Sequence, residues 1–162
     1  MTTVAYAAVT QSGLSFDRQL WMRPEIIPGL RRLTDAIHAE GAAAGIQLGH
    51  CGNMSHKSIC GCMPVGASSG FNLYSPTFVR GLRADELPEM ARAYGRSVNL
   101  AREAGFDSVE IHAGHGYLIS QFLSPSTNHR KDEFGGSLQN RMRFMDMVME
   151  EVMKAAGSDM AV

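Results

Sequence analysis

The order of hydrophobic periods constrains this chain more than any other feature. Runs with the two-residue period of a strand alternate with runs at the three-to-four spacing of a helix. Thr2 to Thr10 is apolar and β-branched at intervals, and Gln11-Ser12-Gly13 breaks it. Pro24 opens a helical pattern carried by Ile27, Leu30, Leu33, Thr34 and Ile37, with Gly41 as its stop. A short apolar run at 43–48 then predicts a buried strand that ends in Gly49-His50. Asp85 predicts an N-cap, Pro88 falls in the first turn, and Leu87, Met90, Ala91, Tyr94, Val98 and Ala101 form one stripe closed by Gly105. A strand over 108–112 follows. Ser137 predicts the cap of a last helix, with Leu138, Met142, Met145, Val148, Met149 and Val152 on its buried face and its end near Gly157. Met160-Ala161-Val162 reads as the first residues of a further strand. The class is therefore α/β, with a parallel sheet joined by right-handed crossovers. Periodicity alone leaves an open sheet and a closed barrel equally available.

Residues 51–83 interrupt this order. They are rich in Gly, Ser, Pro and Cys, show no long period, and predict an extended loop of the kind that is usually functional or disordered. The chain has 15 basic and 16 acidic residues, a net charge of −1. That balance gives no reason to expect nucleic acid or an anionic membrane as partner. No apolar run approaches the roughly 18 residues that span a bilayer. No basic segment precedes the apolar start, so no signal peptide is expected. Three cysteines, Cys51, Cys60 and Cys62, are an odd and clustered set, which argues for a reducing cytoplasm over a secreted disulfide framework. Most of the eleven methionines lie at 142–160 and suit helix packing.

Polar chemistry begins where the strand at 108–112 ends, and ligands bind at the carboxyl ends of strands in sheets fed by helices. His112-Ala113-Gly114-His115-Gly116-Tyr117 places two imidazoles and a phenol around two glycines that let the backbone turn sharply. Imidazole N–H groups can hold a carbonyl or phenolate oxygen, and a positioned tyrosine can give a proton to carbon. The same spacing also suits histidines that satisfy local backbone groups and a tyrosine that fills core. Downstream, Asn128, Arg130, Asp132, Gly135 and Gly136 have the turn chemistry of residues that tie down a loop.

The run EIHAGHGYLISQFLSP, followed by TNHRKDEFGGSLQNRMRF, resembles the signature of the Old Yellow Enzyme family, the FMN-dependent NADH:flavin oxidoreductases and ene-reductases. RRLTDAIHAEGAAAGIQLGHCG is similar to that family's second helix and third strand. The resemblance covers nearly all of the chain. It implies a TIM (β/α)8 barrel with FMN at the carboxyl ends of the strands. Residues 1–162 would then be a partial barrel domain, about strands 2 to 4 with their helices and the start of strand 5, incomplete at both ends. It implies that His112 and His115 hold the activating carbonyl and that Tyr117 protonates the α-carbon. It also implies that Gln47 meets the pyrimidine edge of the flavin. In many members a small residue on the second strand lies beside the flavin. Tyr6, Ala7 and Ala8 compete for that position, and Ala7 is taken as the cofactor neighbour. The implied reaction passes hydride from NAD(P)H through FMN to a small activated alkene, an enone or enoyl thioester.

Two features qualify the resemblance. Members often carry His-Ala-Gly-Arg after the third strand, and here the run is His50-Cys51-Gly52-Asn53, without the arginine. A TIM barrel takes about 250 residues in eight βα units. The alternative to a catalytic chain is thus a truncated piece that binds flavin weakly or not at all, and that self-associates or needs the remainder of the barrel. His50, Cys51, His56, Cys60 and Cys62 lie close in sequence, but Cys51-x8-Cys60-x-Cys62 lacks the paired spacing of zinc and iron–sulfur sites, so no metal is expected.

Overall fold

A computed structural model describes residues 1–162. In chain order the elements are strand β1 (Thr2–Ala8), helix α1 (Ile27–Ala39), β2 (Ala44–Gly49), the short α2 (Lys57–Cys60), β3 (Val65–Gly66), β4 (Gly70–Asn72), β5 (Thr77–Gly81), α3 (Leu87–Glu103), β6 (Ser108–Ile111), α4 (Leu118–Leu123) and α5 (Leu138–Ala156). The main sheet is β1-β2-β6, with both pairs parallel. The α/β class and the parallel order follow the alternation of periods. Ala161 also pairs in parallel with Ser108 on the far side of β6, where the strand-like end at 160–162 was expected.

The two faces of this sheet differ, and the difference positions everything that follows. One face carries Val4, Ile46 and Val109, then Ala7, Leu48 and Ile111, in register. Ile46 and Leu48 are fully buried there, in a core that also takes Leu30 of α1, Tyr94 and Val98 of α3, and Phe144, Val148 and Val152 of α5. The opposite face carries Gln47 beside Glu110, the latter exposed. A Cβ at Gly45 would meet the Ser108 and Thr3 side chains, and one at Gly49 would run into the Tyr6 ring. Both glycines therefore keep a crowded row low.

Helices α3 and α5 approach closely because Gly95 has no side chain. A Cβ there would lie 3.0 Å from the Glu151 carbonyl oxygen. The α3 stripe is as predicted, with Leu87, Ala91, Tyr94, Val98 and Ala101 buried, and Gly105 turns the chain out at φ +87°.

Four expectations need correction. The stretch 51–83 is not a plain loop: β3-β5-β4 form a second small sheet, with β3 and β5 parallel and β4 and β5 antiparallel. β3 and β4 are two and three residues long, and five-residue β5 buries only Val79, so none of them leaves an apolar alternation. Asp85 does not cap α3. A 3-10 turn over Ala84–Glu86 precedes the helix, Asp85 pairs with Arg83, and Glu86 accepts from the Arg83 backbone N–H at 2.8 Å. The buried face of α5 is rotated from the predicted one. Phe144, Val148, Val152 and Ala156 are buried, while Leu138 and Met142 are exposed, because Phe144 packs its ring 4.5 Å from Phe122 of α4. On α1, Leu33 is exposed and Thr34 is buried, its hydroxyl donating to the Ala104 carbonyl at 2.6 Å. The predicted cap on α5 is present, as Ser137 Oγ accepts from the Asn140 N–H at 3.2 Å.

Candidate active site

The carboxyl end of the main sheet is where β6 runs into the turn at 112–117. His112 continues the strand, its N–H donating to the Leu48 carbonyl at 2.9 Å. The chain then reverses through two consecutive left-handed residues, His115 at φ +54° and Gly116 at φ +71°. Such a backbone costs about 1–3 kcal/mol at a non-glycine residue and persists only where its surroundings hold it. Here they do. Tyr117 N–H donates to the Gly114 carbonyl at 3.0 Å, and Leu118 N–H donates to the His50 carbonyl at 2.8 Å.

The fold brings His112, His115 and Tyr117 together. His115 Nδ1 lies 3.2 Å from His112 Nε2, and the Tyr117 ring stands edge-on to His112 with centroids 4.9 Å apart. One imidazole hydrogen fills the gap between the two nitrogens, so the two rings do not both carry a charge in this arrangement. Burial, and after it the neighbouring His115, pushes His112 below the ordinary histidine range, so it works as a neutral imidazole near pH 7. His115 is exposed and Tyr117 is half-buried, with no protein partner for its hydroxyl. A small oxygen atom brought to the pair can thus be met by imidazole N–H, with a phenol O–H beside it.

Gln47 lies on the same face of the sheet. Its Nε2 donates to Glu110 Oε1 at 2.5 Å, which leaves its Oε1 and a second N–H open. A carboxamide on the open face, able to donate and to accept, fits the alternating donors and acceptors of a flavin pyrimidine edge. Ala7 is elsewhere. Its methyl is fully buried on the helix-facing side in register with Leu48, so only its backbone could reach a ligand on the open face.

Tyr6, not Ala7, presents its side chain on this face. Ala5 and Tyr6 together oppose Gln47, an irregularity in the β1–β2 register between Val4 and Ala7. The extra residue turns the Tyr6 ring across Gly49 toward the site. Its ring lies 5.3 Å from Tyr117 and 5.9 Å from His112 by centroids. Its hydroxyl donates to the Gly13 carbonyl at 2.8 Å, and burial pushes its pKa up, so it stays a neutral wall.

Two residues have supporting roles that the sequence did not announce. Gln121 of α4 is buried beneath the turn. Its Nε2 donates to the carbonyls of Gly116 at 2.6 Å and Cys51 at 3.2 Å and to Asn53 Oδ1 at 3.0 Å, while its Oε1 accepts from Asn53 N–H at 3.2 Å. His50 is fully buried. Gly52 N–H donates to its Nδ1 at 2.9 Å, so Nε2 carries the hydrogen and faces Ser12 Oγ at 3.0 Å. A glutamine in an apolar helix run and a histidine after a strand look alike whether they are supports or surface residues.

The loop set behaves as its turn chemistry predicts. Asn128 Nδ2 donates to the Phe122 carbonyl at 2.7 Å and the Phe134 carbonyl at 2.8 Å. Arg130 pairs with Asp132 and donates to the carbonyls of Ala67 and Leu82. A cleft of about 390 Å³ opens between Gly116 and the β4–β5 hairpin, with Asn53, Met54, Phe71 and Thr127 among its walls.

Three comparisons bear on this arrangement. The family model described as "NADH:flavin oxidoreductase / NADH oxidase family" matches residues 1–162. A protein named 4,4'-dithiodibutanoate disulfide reductase, from Rhodococcus erythropolis, is 41% identical over 162 residues, which is 100% of this chain and 40% of the relative. An NADPH dehydrogenase of Bacillus subtilis (strain 168) is 39% identical over 150 residues, 92% of this chain and 44% of the relative. Among solved structures, the old yellow enzyme homologue from Zymomonas mobilis superposes with a TM-score of 0.89 at 33% identity, over 96% of this chain and 46% of that one. The chain therefore spans less than half the length of each of these three.

Proposed function

This chain belongs to the NADH:flavin oxidoreductase / NADH oxidase family, and from that premise we propose that it supplies the substrate side of an FMN-dependent site that reduces an activated alkene at the expense of NAD(P)H. We read β1, β2 and β6 as strands 2 to 4 of a TIM barrel, with Met160–Val162 opening the fifth. The likeness to a solved structure at TM-score 0.89 over about half its length supports that reading.

The observation that carries the function is the meeting of His112, His115 and Tyr117 at one strand end, on the face that also bears Gln47. Gln47 would hold the pyrimidine edge. FMN, when bound, supplies the hydride taken from the nicotinamide. The chain's own residues do the rest. His112 and His115 hold the substrate carbonyl oxygen and stabilise the negative charge that grows on it. The Tyr117 hydroxyl gives its proton to the α-carbon. Tyr6, fixed to Gly13, keeps the floor of the pocket apolar.

Titration of the protein with FMN, followed by a substituted phenol, tests this. A long-wavelength charge-transfer band that weakens in a His112→Ala/His115→Ala variant is the expected result. A protein that stays colourless after FMN addition and gel filtration overturns flavin binding by this chain. A second reading, with a disulfide as the acceptor bond, is favoured by the name of the 41% identical relative. Flavin reoxidation by an enone and by a linear disulfide dicarboxylate, measured side by side, separates the two.

A further inference from the structure

Away from that site, the structure holds a pair of thiols that the flavin chemistry does not use. Cys60 ends helix α2, and Gly61, at φ +74°, folds the chain back so that Cys62 lies over it. Cys62 Sγ–H points at Cys60 Sγ across 3.7 Å. Cys60 is 2% exposed and held by two backbone carbonyls, His56 and Cys62, each 3.2 Å from its sulfur. Cys62 is exposed and forms part of the wall of a cleft of about 580 Å³ between this turn and the start of α3. The third cysteine takes no part: Cys51 is buried and donates to the Leu14 carbonyl at 3.2 Å.

We propose that Cys60 and Cys62 form a thiol–disulfide exchange site for small-molecule disulfides. One sulfur is open to a reactant and the other is shielded directly behind it, the division of labour that exchange needs. A bonded pair of sulfurs is separated by about 2.0 Å, so closure needs the two sulfurs to approach by about 1.7 Å from their 3.7 Å separation. Cys62 thiolate attacks one sulfur of a disulfide RSSR and releases one RS⁻, which takes up the proton Cys62 gave to water. Cys60 thiolate then attacks the mixed disulfide at Cys62 Sγ and releases the second RS⁻, which is protonated in turn. The balance is two protein thiols and RSSR in, one Cys60–Cys62 disulfide and two RSH out. The two electrons pass from the cysteine pair to the small disulfide. Burial and then the Cys60 sulfur hold the Cys62 thiol above its ordinary range. Arg80, on the same cleft, acts weakly against them, since its guanidinium is already paired with Glu86 at 2.6 and 3.0 Å and Asp85 and Glu89 also line the cleft. The reaction therefore runs faster above neutral pH.

Oxidised glutathione is the probe, applied to the protein without flavin or nicotinamide, so that the result is independent of the alkene reading. The expected product has lost the mass of two hydrogens, with Cys60 and Cys62 in one linked peptide and Cys51 still alkylatable. Cys60→Ser should stop at one glutathionyl group on Cys62, and Cys62→Ser should not react. Wild-type protein that keeps a glutathionyl group, that dimerises through Cys62, or that is unchanged under conditions that oxidise a free dithiol peptide overturns the proposal. A Cys62→Ser variant that reacts at the wild-type rate does the same.

Discussion

Lowering the pH should unfold this protein through His50 before its carboxylates titrate. Burial is complete at His50 and pushes its pKa from 6.5 down to about 3. The hydrogen-bond geometry agrees, since a proton added at Nδ1 would face the Gly52 N–H that now donates to it at 2.9 Å. The folded value lies below the unfolded one. This histidine therefore contributes stability above pH 6.5 that is lost progressively as the pH falls toward 3. One pH unit corresponds to 1.36 kcal/mol per proton, so the loss between pH 6.5 and 4.5 is about 2 kcal/mol from this side chain alone. Glu86, Asp107 and Asp132 also sit below their ordinary values, but they start to titrate only as the pH nears the usual carboxylate range. His112 is lowered too and adds in the same direction. The assay is urea unfolding at half-unit pH steps in wild type and in His50→Asn, whose Oδ1 can still accept from Gly52. The variant will differ in absolute stability, so the comparison is of slopes. The wild-type slope over this window should exceed that of the variant by about 1 kcal/mol per pH unit. Equal slopes would refute a buried neutral His50.

Three further outcomes are expected. Gln121→Ala removes the buried carboxamide that serves four polar groups and leaves the half-buried Gly116 carbonyl and Asn53 N–H without it, which should cost about 1–3 kcal/mol by urea unfolding; a loss below about 0.5 kcal/mol would show that water replaces the amide. Gly135→Ala should destabilise by about 1–3 kcal/mol, because its Cβ would strike the Arg130 carbonyl, whereas a Cβ at Gly136 meets no atom and Gly136→Ala carries only the smaller cost of its φ of +82°; the reverse order of melting temperatures would contradict this packing. In flavin-loaded protein, Tyr117→Phe should slow flavin reoxidation by an enone by at least about tenfold, while reduction by NAD(P)H is nearly unchanged, since the proton is needed only in the second half; stopped-flow traces showing equal loss in both halves would remove Tyr117 from its role.

The parts of the fold that were legible in the sequence share one property: each repeats its signal several times. The α3 stripe presents an apolar residue at every turn from Leu87 to Ala101, and all but the half-buried Met90 are buried. Where one large side chain outweighs a pattern, the reading failed. On α5 the methionine-rich face looked inward, but Phe144 seats against Phe122 and turns Met142 to solvent. At Asp85 the local signal lost to an arginine two residues earlier, which neutralises the carboxylate in place of the backbone. The β3–β5–β4 sheet was invisible because β3 and β4 have only two and three residues, and five-residue β5 buries a single side chain, Val79, so it shows no alternation.

The site shows the same division in a sharper form. His112, His115 and Tyr117 stand within six residues, so their meeting needed only a strand end and two glycines, both visible in the chain. What fixes them comes from far away. Gln121 joins the turn at 116 to Cys51 and Asn53, and the His50 carbonyl receives Leu118 N–H. Tyr6 arrives through a β1 irregularity that no residue type announces. These contacts link the β2 and β6 strand ends, which lie some sixty residues apart in sequence, and they exist only because β1, β2 and β6 are neighbours in one parallel sheet. The reactive groups are thus a local property of the chain, and their alignment is a property of the sheet. A substitution at Gln121 or Tyr6 should alter the geometry of the His112–His115–Tyr117 cluster without touching any residue in it.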